Sequence, residues 1–212
     1  MRAELGEEPA RRPDSVRRRD PACRASVGFA LGEARGLHVV TGPSGAGKTA
    51  WCSGLVARAR CEGYQCVGVT SPTVYRDGNR VGVDLICLRS GERRALGAPV
   101  ARQAKATIDR AASEADHLVV GDWHLDRTVL AWGNRELIHL LAASPHGKTL
   151  LFVDELGPLE FERRQGLTAP LDLPIQEAFH AAFLVVRPKL LPHAFERWPD
   201  ARLVEIGSGA RR

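Results

Sequence analysis

Short runs of apolar residues alternate with stretches of helical periodicity along most of this chain. Continuous β-type runs predict strands at residues 37–41, 66–70, 118–123, 150–155, 182–186 and 203–206. Apolar residues spaced three and four apart predict helices over 48–62 and 127–145, and shorter ones over 171–179 and 190–198. This alternation is typical of an α/β fold, in which helices cover both faces of a mainly parallel sheet.

The second long helix has a clear start signal, because Asp126 is a favourable N-cap residue. We expect its inner side to carry Val129, Leu130, Leu137, Ile138 and Leu141. The preceding residues 101–115 are polar, and they fit either a helix or a loop.

The segment that follows the second strand predicts antiparallel structure. Two β-type runs, 73–76 and 80–88, flank Asp77-Gly78-Asn79, and Asp-Gly between such runs is a strong hairpin signal. A second turn at 90–92 returns the chain through 93–96. We therefore expect a β-hairpin insertion over 73–96.

The ends of the chain differ from its middle. Residues 1–24 have little periodicity and mix prolines, arginines and acids, so we expect a disordered basic arm. The remaining residues, 25–212, are expected to form one domain, with a short strand over 25–31.

Residues 42–49 read Gly-Pro-Ser-Gly-Ala-Gly-Lys-Thr. They match the phosphate-binding pattern G-x-x-x-x-G-K-[ST], and they lie between a predicted strand and a predicted helix. The glycines let several backbone N–H groups face one phosphate chain. Lys48 is expected to reach the β- and γ-phosphates, and the Thr49 hydroxyl to ligate Mg²⁺. The expected nucleotide-binding residues are Gly42, Pro43, Ser44, Gly45, Ala46, Gly47, Lys48, Thr49 and Ala50.

A second candidate site feature is the apolar run 150–153, which ends in Asp154 and Glu155. Strands commonly end in surface acids, but a buried strand that ends in a carboxylate beside a phosphate loop is typical of a Walker B strand. We expect Asp154 to hold Mg²⁺, mainly through water, and Glu155 to orient and polarise the attacking water.

Two further residues have open interpretations. Arg187 follows the strand 182–186, where residues at a topological switch point meet ligands. It is either a sensor of the γ-phosphate or an arginine on an exposed loop. Glu160 either faces the metal or pairs with Arg163 or Arg164.

Composition and charge narrow the choice of partners. Lys and Arg number 30 against 25 Asp and Glu, a net charge of +5, which is too mild to indicate nucleic acid or membrane binding. The five cysteines show neither a C-x-x-C pair nor zinc spacing. No apolar run reaches transmembrane length and no signal-type segment is present, so we expect a cytoplasmic protein.

Three segments together resemble a known family: the phosphate loop, the hairpin residues 77–84, and the run Asp-Glu-Leu-Gly-Pro-Leu-Glu at 154–160. They are similar to the P-loop nucleoside-triphosphatase family first described from thermophiles, which has a human cancer-related member. The resemblance covers most of 37–187. Residues 97–134 and 161–173 depart from the better-known members and resemble a divergent bacterial subgroup.

The resemblance implies a three-layer P-loop fold of the catalytic-glutamate class, Mg²⁺ as cofactor, and slow hydrolysis of several nucleoside 5′-triphosphates, including ATP and GTP. From the residues, the expected catalytic groups are Lys48 and Glu155. No N-K-x-D base-recognition motif occurs, so broad base specificity is the default expectation.

Two alternatives use the same phosphate loop. One is a small-molecule kinase with an unidentified acceptor, for which Arg163 and Arg164 are the compact lid candidate in the later half of the chain. The other is a nucleotide-gated adaptor that binds a protein partner. In that case Trp123 and Trp132 form the partner surface, whereas the competing interpretation places them in the core.

Overall fold

The computed structural model describes residues 29–100, 117–143, 147–172 and 174–207. The arm expected over 1–24 and the helix or loop expected over 101–115 lie outside these residues. The described strands are β1 (Gly36–Thr41), β2 (Gln65–Thr70), β3 (Thr73–Arg76), β4 (Asn79–Cys87), β5 (Arg93–Pro99), β6 (His117–Val120), β7 (Trp123–Asp126), β8 (Thr149–Leu156), β9 (Ala181–Val186) and β10 (Arg202–Glu205). The described helices are α1 (Lys48–Cys61), α2 (Arg127–Ala142), α3 (Pro158–Phe161), α4 (Ala169–Asp172), α5 (Ile175–Ala178) and α6 (Leu191–Arg197), with 3₁₀ turns at Leu31–Glu33 and Pro188–Leu190.

Within the described ranges, ten strands form one sheet in the order β10-β1-β9-β8-β2-β4-β5-β7-β6, and β3 pairs with β4. The strands from β10 to β2 are parallel. Beyond β2 every described pairing is antiparallel. The sheet therefore combines a parallel half with an antiparallel insertion, which confirms the expected α/β class.

Apolar side chains on the two faces of the sheet build two cores. Successive residues of a strand point to opposite faces, so Val39 of β1 joins the core under α2 and the C-terminal helices, whereas Val40 joins the core under α1. All six residues of β9 are buried, as expected for a central parallel strand. Helices thus cover both faces and complete three layers.

The antiparallel half is larger than the predicted hairpin. The turn between β3 and β4 has Asp77 at φ 51° and Gly78 at φ 75°, the left-handed pair that a type I′ turn requires. The single strand expected over 118–123 is instead a second hairpin, β6 and β7, around a turn at Gly121. The apolar run 118–120 and Trp123 are separated only by Gly121 and Asp122, so the sequence pattern favours a single strand.

Helix α2 begins as predicted. Asp126 Oδ1 accepts the N–H groups of Thr128 at 2.7 Å and Val129 at 3.2 Å. Ile138 was expected on the inner side but is 47% exposed. Its neighbour Leu137 takes the buried position, because the two residues are 100° apart around the helix and only one can face the sheet.

Two other predicted elements are wrong in detail. The helix over 171–179 is split into α4 and α5, because Pro174 lacks an N–H group and its ring blocks the preceding turn. The short strand over 25–31 is absent from its described part, where Leu31 begins a 3₁₀ turn; residues 25–28 lie outside the described residues.

Candidate active site

The phosphate-binding pattern forms the connection between β1 and α1. Gly47 is left-handed, with φ 87°, and it directly precedes the first turn of α1. At Gly42, where φ is 152°, a β-carbon would lie 2.2 Å from the Ile206 carbonyl oxygen. Only glycine therefore fits where the loop leaves the sheet, because the chain after β10 passes directly over it.

Lys48 links the two ends of this loop. Its Nζ donates hydrogen bonds to the carbonyl oxygens of Gly42, at 2.8 Å, and Pro43, at 2.9 Å. The ammonium group is thereby held against the loop backbone, in the position from which the pattern predicts phosphate binding.

Asp154 lies at the end of β8, close to the phosphate loop. Its side chain is buried, at 2% exposure, and its carboxylate accepts a hydrogen bond from the Thr49 hydroxyl. Burial raises the pKa of this carboxyl to about 6, the neighbouring charge of Glu155 adds to the rise, and the bond from Thr49 opposes it. The charged form of Asp154 is therefore poorly compensated by protein groups.

Glu155 extends from the same strand but stays half exposed, with 42% of its side chain accessible. Its Oε1 lies 2.6 Å from Nε of Arg187, which follows β9. The strand order places β9 between β1 and β8, so the expected water-orienting residue and the expected sensor are brought together.

Glu160 takes neither of the roles considered from the sequence. It is buried, and its two oxygens accept the N–H groups of Gly157 at 2.7 Å and Leu167 at 3.0 Å. Burial raises the pKa of this carboxyl, while those two hydrogen bonds act against the rise. Glu160 therefore fixes the segment that follows β8, and Arg164 pairs with Asp172 instead.

Ser71 is a site residue that the sequence interpretation missed. Its hydroxyl donates to the Asp154 carbonyl at 2.7 Å, and its N–H lies 3.5 Å from Asp154 Oδ2. Ser71 directly follows β2, the parallel neighbour of β8. Its position after a predicted strand was the available signal, but only the strand order shows which carboxylate it meets.

The two tryptophans considered for a partner surface have other contacts. Trp132 is buried at 4% exposure and lies under the Arg94 guanidinium, 4.3 Å from its ring centre. Trp123 is partly buried, with Arg80 at 4.5 Å. The core interpretation is thus confirmed for Trp132.

Comparison with known proteins shows the family to which the chain belongs. A family model described as NTPase matches residues 38–172, more than half of the chain. The chain belongs to this NTPase family. The match spans the phosphate loop, the antiparallel insertion and the Asp154 segment, and it confirms the resemblance stated from these segments.

A curated member of similar sequence is the nucleoside-triphosphatase THEP1 of Caldivirga maquilingensis, which is 29% identical over 123 residues. That match covers 58% of this chain and 60% of the relative, so the chain spans less than two thirds of that protein. Two solved structures have the same fold, each with a TM-score of 0.57: THEP1 from the hyperthermophile Aquifex aeolicus and a human cancer-related nucleoside triphosphatase.

Both structures align over most of their length. The Aquifex protein is 18% identical and covers 82% of this chain and 92% of its own, and the human protein is 21% identical and covers 84% and 92%. The P-loop NTPase fold expected from the sequence is therefore confirmed. Among the described residues, none of the helices of this NTPase-family chain has the length and apolarity needed to span a bilayer.

The residues around Asp154 suit a magnesium ion. The donors are the Thr49 hydroxyl and the Asp154 carboxylate, already in contact with each other, and Mg²⁺ prefers such oxygen ligands together with water. A divalent cation would also compensate the negative charge of the Asp154 carboxylate, whose burial raises its pKa. The site chemistry thus fits the cofactor that P-loop proteins generally use.

Proposed function

We propose that this protein hydrolyses nucleoside 5′-triphosphates, ATP and GTP among them, to diphosphate and phosphate. The reaction would depend on Mg²⁺, proceed slowly and tolerate different bases. The supporting observation is the contact between the Thr49 hydroxyl and the Asp154 carboxylate. It joins the phosphate loop to the end of β8, where Glu155 stands next to the proposed metal ligand.

The proposed binding roles follow from this contact. The backbone N–H groups within residues 42–50, of which Pro43 has none, and the Lys48 ammonium bind the phosphates, and Thr49 and Asp154 hold the metal ion. Bound Mg²⁺ would neutralise charge that develops on the phosphate oxygens. Because these groups are fixed before the reaction, positioning supplies much of the catalysis.

Glu155 is the proposed general base. Its half-exposed carboxylate can orient a water molecule and take its proton as the water oxygen bonds to the γ-phosphorus. The bond from that phosphorus to the bridging oxygen breaks, and its electron pair leaves with the diphosphate. Lys48 stabilises the charge on the leaving oxygens. Arg187 is the proposed sensor that contacts the γ-phosphate.

The two rival functions have less support in the described residues. A kinase lid would need arginines free to close over the nucleotide, and Arg164 is engaged by Asp172. An adaptor surface built on Trp132 conflicts with the burial of that residue. A cytoplasmic location stays a prediction from the sequence.

A phosphate-release assay tests the proposed function. ATP, GTP, CTP and UTP are each compared with Mg²⁺ and with excess EDTA, using Lys48→Ala as the control that should not turn over. We expect release from all four with Mg²⁺ only. Repeating the assay with a metabolite mixture detects a kinase, since phosphorylated acceptor without free phosphate would overturn the proposal.

A further inference from the structure

The order of the strands places Arg187, at the end of β9, between the phosphate loop and the proposed general base. On one side of β9 lies β1, which leads into the phosphate loop, and on the other lies β8, which ends at Glu155. Neighbouring strands are about 4.8 Å apart, so a side chain at the end of β9 is one strand away from each. Arg187 therefore lies between the predicted phosphate position and the predicted base.

A buried hydrogen bond fixes the base of this side chain. The Thr41 hydroxyl donates to the carbonyl oxygen of Val186 at 2.9 Å. Thr41 directly precedes the phosphate loop and Val186 directly precedes Arg187. The backbone of Arg187 is thus held close to the start of the loop. Its long side chain can still rotate either towards Glu155 or towards the phosphate loop.

In this structure the side chain is turned to Glu155. The two groups form an ion pair at 2.6 Å, and both remain largely exposed. The arginine also offsets part of the negative charge of three neighbouring carboxyl groups, because the charge of Glu155 contributes to the raised pKa values of both Asp154 and Glu160. While the pair lasts, Oε1 of Glu155 accepts a hydrogen bond from Arg187 Nε and is engaged with that group instead of with an attacking water molecule.

A terminal phosphate competes for the same guanidinium. Arginine binds phosphate oxygens through a planar fork of donors, and a γ-phosphate carries more charge than one carboxylate. A diphosphate bound in the same loop has no group at this position. The two nucleotide states therefore differ in whether they attract Arg187 away from Glu155.

We propose that Arg187 exchanges between Glu155 and the γ-phosphate, so that the base is released only when a triphosphate is bound. Without nucleotide, or with diphosphate, the Arg187–Glu155 ion pair keeps the base occupied. With triphosphate, the guanidinium moves to the phosphate and leaves the carboxylate free for water. The exchange rests on the proposed function of this site. It adds that Arg187 controls when Glu155 is available as the base.

A double-mutant cycle on binding tests the exchange. Dissociation constants are measured for a non-hydrolysable triphosphate analogue and for a diphosphate, both with Mg²⁺. The four proteins are the unchanged chain, Glu155→Gln, Arg187→Ala and the double variant. The quantity compared is the gain in affinity caused by Glu155→Gln, with Arg187 present and with Arg187 absent.

If the exchange occurs, Glu155→Gln should increase the affinity for the triphosphate analogue about two- to fivefold more with Arg187 present than with Arg187 absent. The reason is that triphosphate binding must break the exposed Arg187–Glu155 ion pair, and this factor corresponds to the usual free energy of such a pair. For the diphosphate the two gains should be equal. A triphosphate gain that is equal or smaller with Arg187 present would overturn the proposal, since the pair would then be static or would bridge to the phosphate unbroken. Arg187→Gln, which also removes the charge and the ion pair, replaces the alanine variant if the latter binds too weakly to measure.

A matched ion pair serves as the control. Glu92 and Arg94 form a similarly exposed pair at 2.6 Å within the insertion, and Glu92→Gln should leave both dissociation constants unchanged. Because the analogue is not hydrolysed, the result does not depend on turnover. A chain that binds with the predicted coupling but releases no phosphate would retain the exchange and refute the hydrolytic function.

Discussion

The Ser71 hydroxyl donates a hydrogen bond of 2.7 Å to the main-chain carbonyl of Asp154. This bond joins the first residue after β2 to the proposed metal ligand at the end of β8. The chain continues from Ser71 directly into the antiparallel insertion. The position of the insertion and the geometry of the metal ligand are therefore coupled through one serine.

Replacing Ser71 with alanine should weaken metal binding. Loss of one hydrogen bond costs about 1 kcal/mol, which corresponds to roughly a fivefold higher Mg²⁺ concentration for half-maximal activity. The measurement is phosphate release as a function of Mg²⁺ at saturating nucleotide. Ser90→Ala is the control, because Ser90 accepts an exposed N–H at 3.1 Å within a turn of the insertion. An unchanged Mg²⁺ requirement in Ser71→Ala would show that the bond does not position Asp154.

Replacing Glu155 with glutamine should remove turnover and preserve nucleotide binding. An amide cannot accept the proton of the attacking water, and general-base catalysis is worth about 10²- to 10⁴-fold in rate. Single-turnover hydrolysis gives the rate, and equilibrium binding of a fluorescent triphosphate analogue gives the affinity. An equal loss of rate and affinity would contradict the assigned role and point to a structural one.

The segment after β8 should tolerate little change at Gly166. A β-carbon there would lie 2.0 Å from Glu160 Oε1, and φ is 76°. Gly166→Ala should therefore be destabilised by about 1–2 kcal/mol because of the left-handed backbone, and by a further ~1–3 kcal/mol because the buried carboxylate is displaced.

Gly63→Ala is the matched control for Gly166→Ala in denaturant unfolding. Gly63 has a similar φ of 82°, and nothing lies within 4 Å of its β-carbon position, so it reports the backbone penalty alone. If the two variants lose the same free energy of unfolding, then Glu160 does not clamp the segment as described.

The buried histidine of β1 should make stability depend on pH. Burial lowers the pKa of His38 from its ordinary value of 6.5, and the nearby charge of Arg202 adds to the effect. The unfolded chain therefore takes up a proton near pH 6.5 while the folded chain does not. Stability is fully present above this pH and declines below it, by at most about 1.4 kcal/mol per pH unit.

Substitution of His38 with phenylalanine isolates this contribution. The ring stacks on Phe183 at 5.0 Å, and phenylalanine keeps an aromatic ring there without a titrating group. Thermal unfolding of both proteins between pH 7.5 and 5 should show a smaller decline for the variant. Parallel declines would mean that His38 becomes protonated without cost in the folded state.

Much of the fold follows from local pattern. The phosphate loop, the strands of the parallel half and the start of α2 were predictable because each depends on neighbouring residues: glycine spacing, apolar runs and an N-cap. The Asp77-Gly78 turn belongs to the same class, since its dihedral angles are set by two residues. The inner position assigned to Ile138 was wrong because packing decides between two equal local choices, Leu137 and Ile138. The split of the helix around Pro174 has a local cause, the missing N–H group and the ring of that proline.

The candidate site divides in the same way. Residue types and spacing in the sequence alone predict Lys48, Thr49, Asp154 and Glu155 as the groups that act on phosphate, metal and water, because each type has a chemistry that phosphate transfer needs. The sequence also identified the family. It left Arg187 and Glu160 undecided and did not indicate Ser71.

Only the tertiary structure determined the contacts of those three residues, and for Arg187 and Ser71 the reason is the strand order. The sheet places β9 between β1 and β8, so Arg187 meets Glu155, and it places β2 beside β8, so Ser71 meets Asp154. Glu160 is turned inward because the segment after β8 folds back and offers its buried carboxylate two N–H groups. Contacts between residues far apart in the chain depend on which elements become neighbours, and local residue patterns do not contain that information.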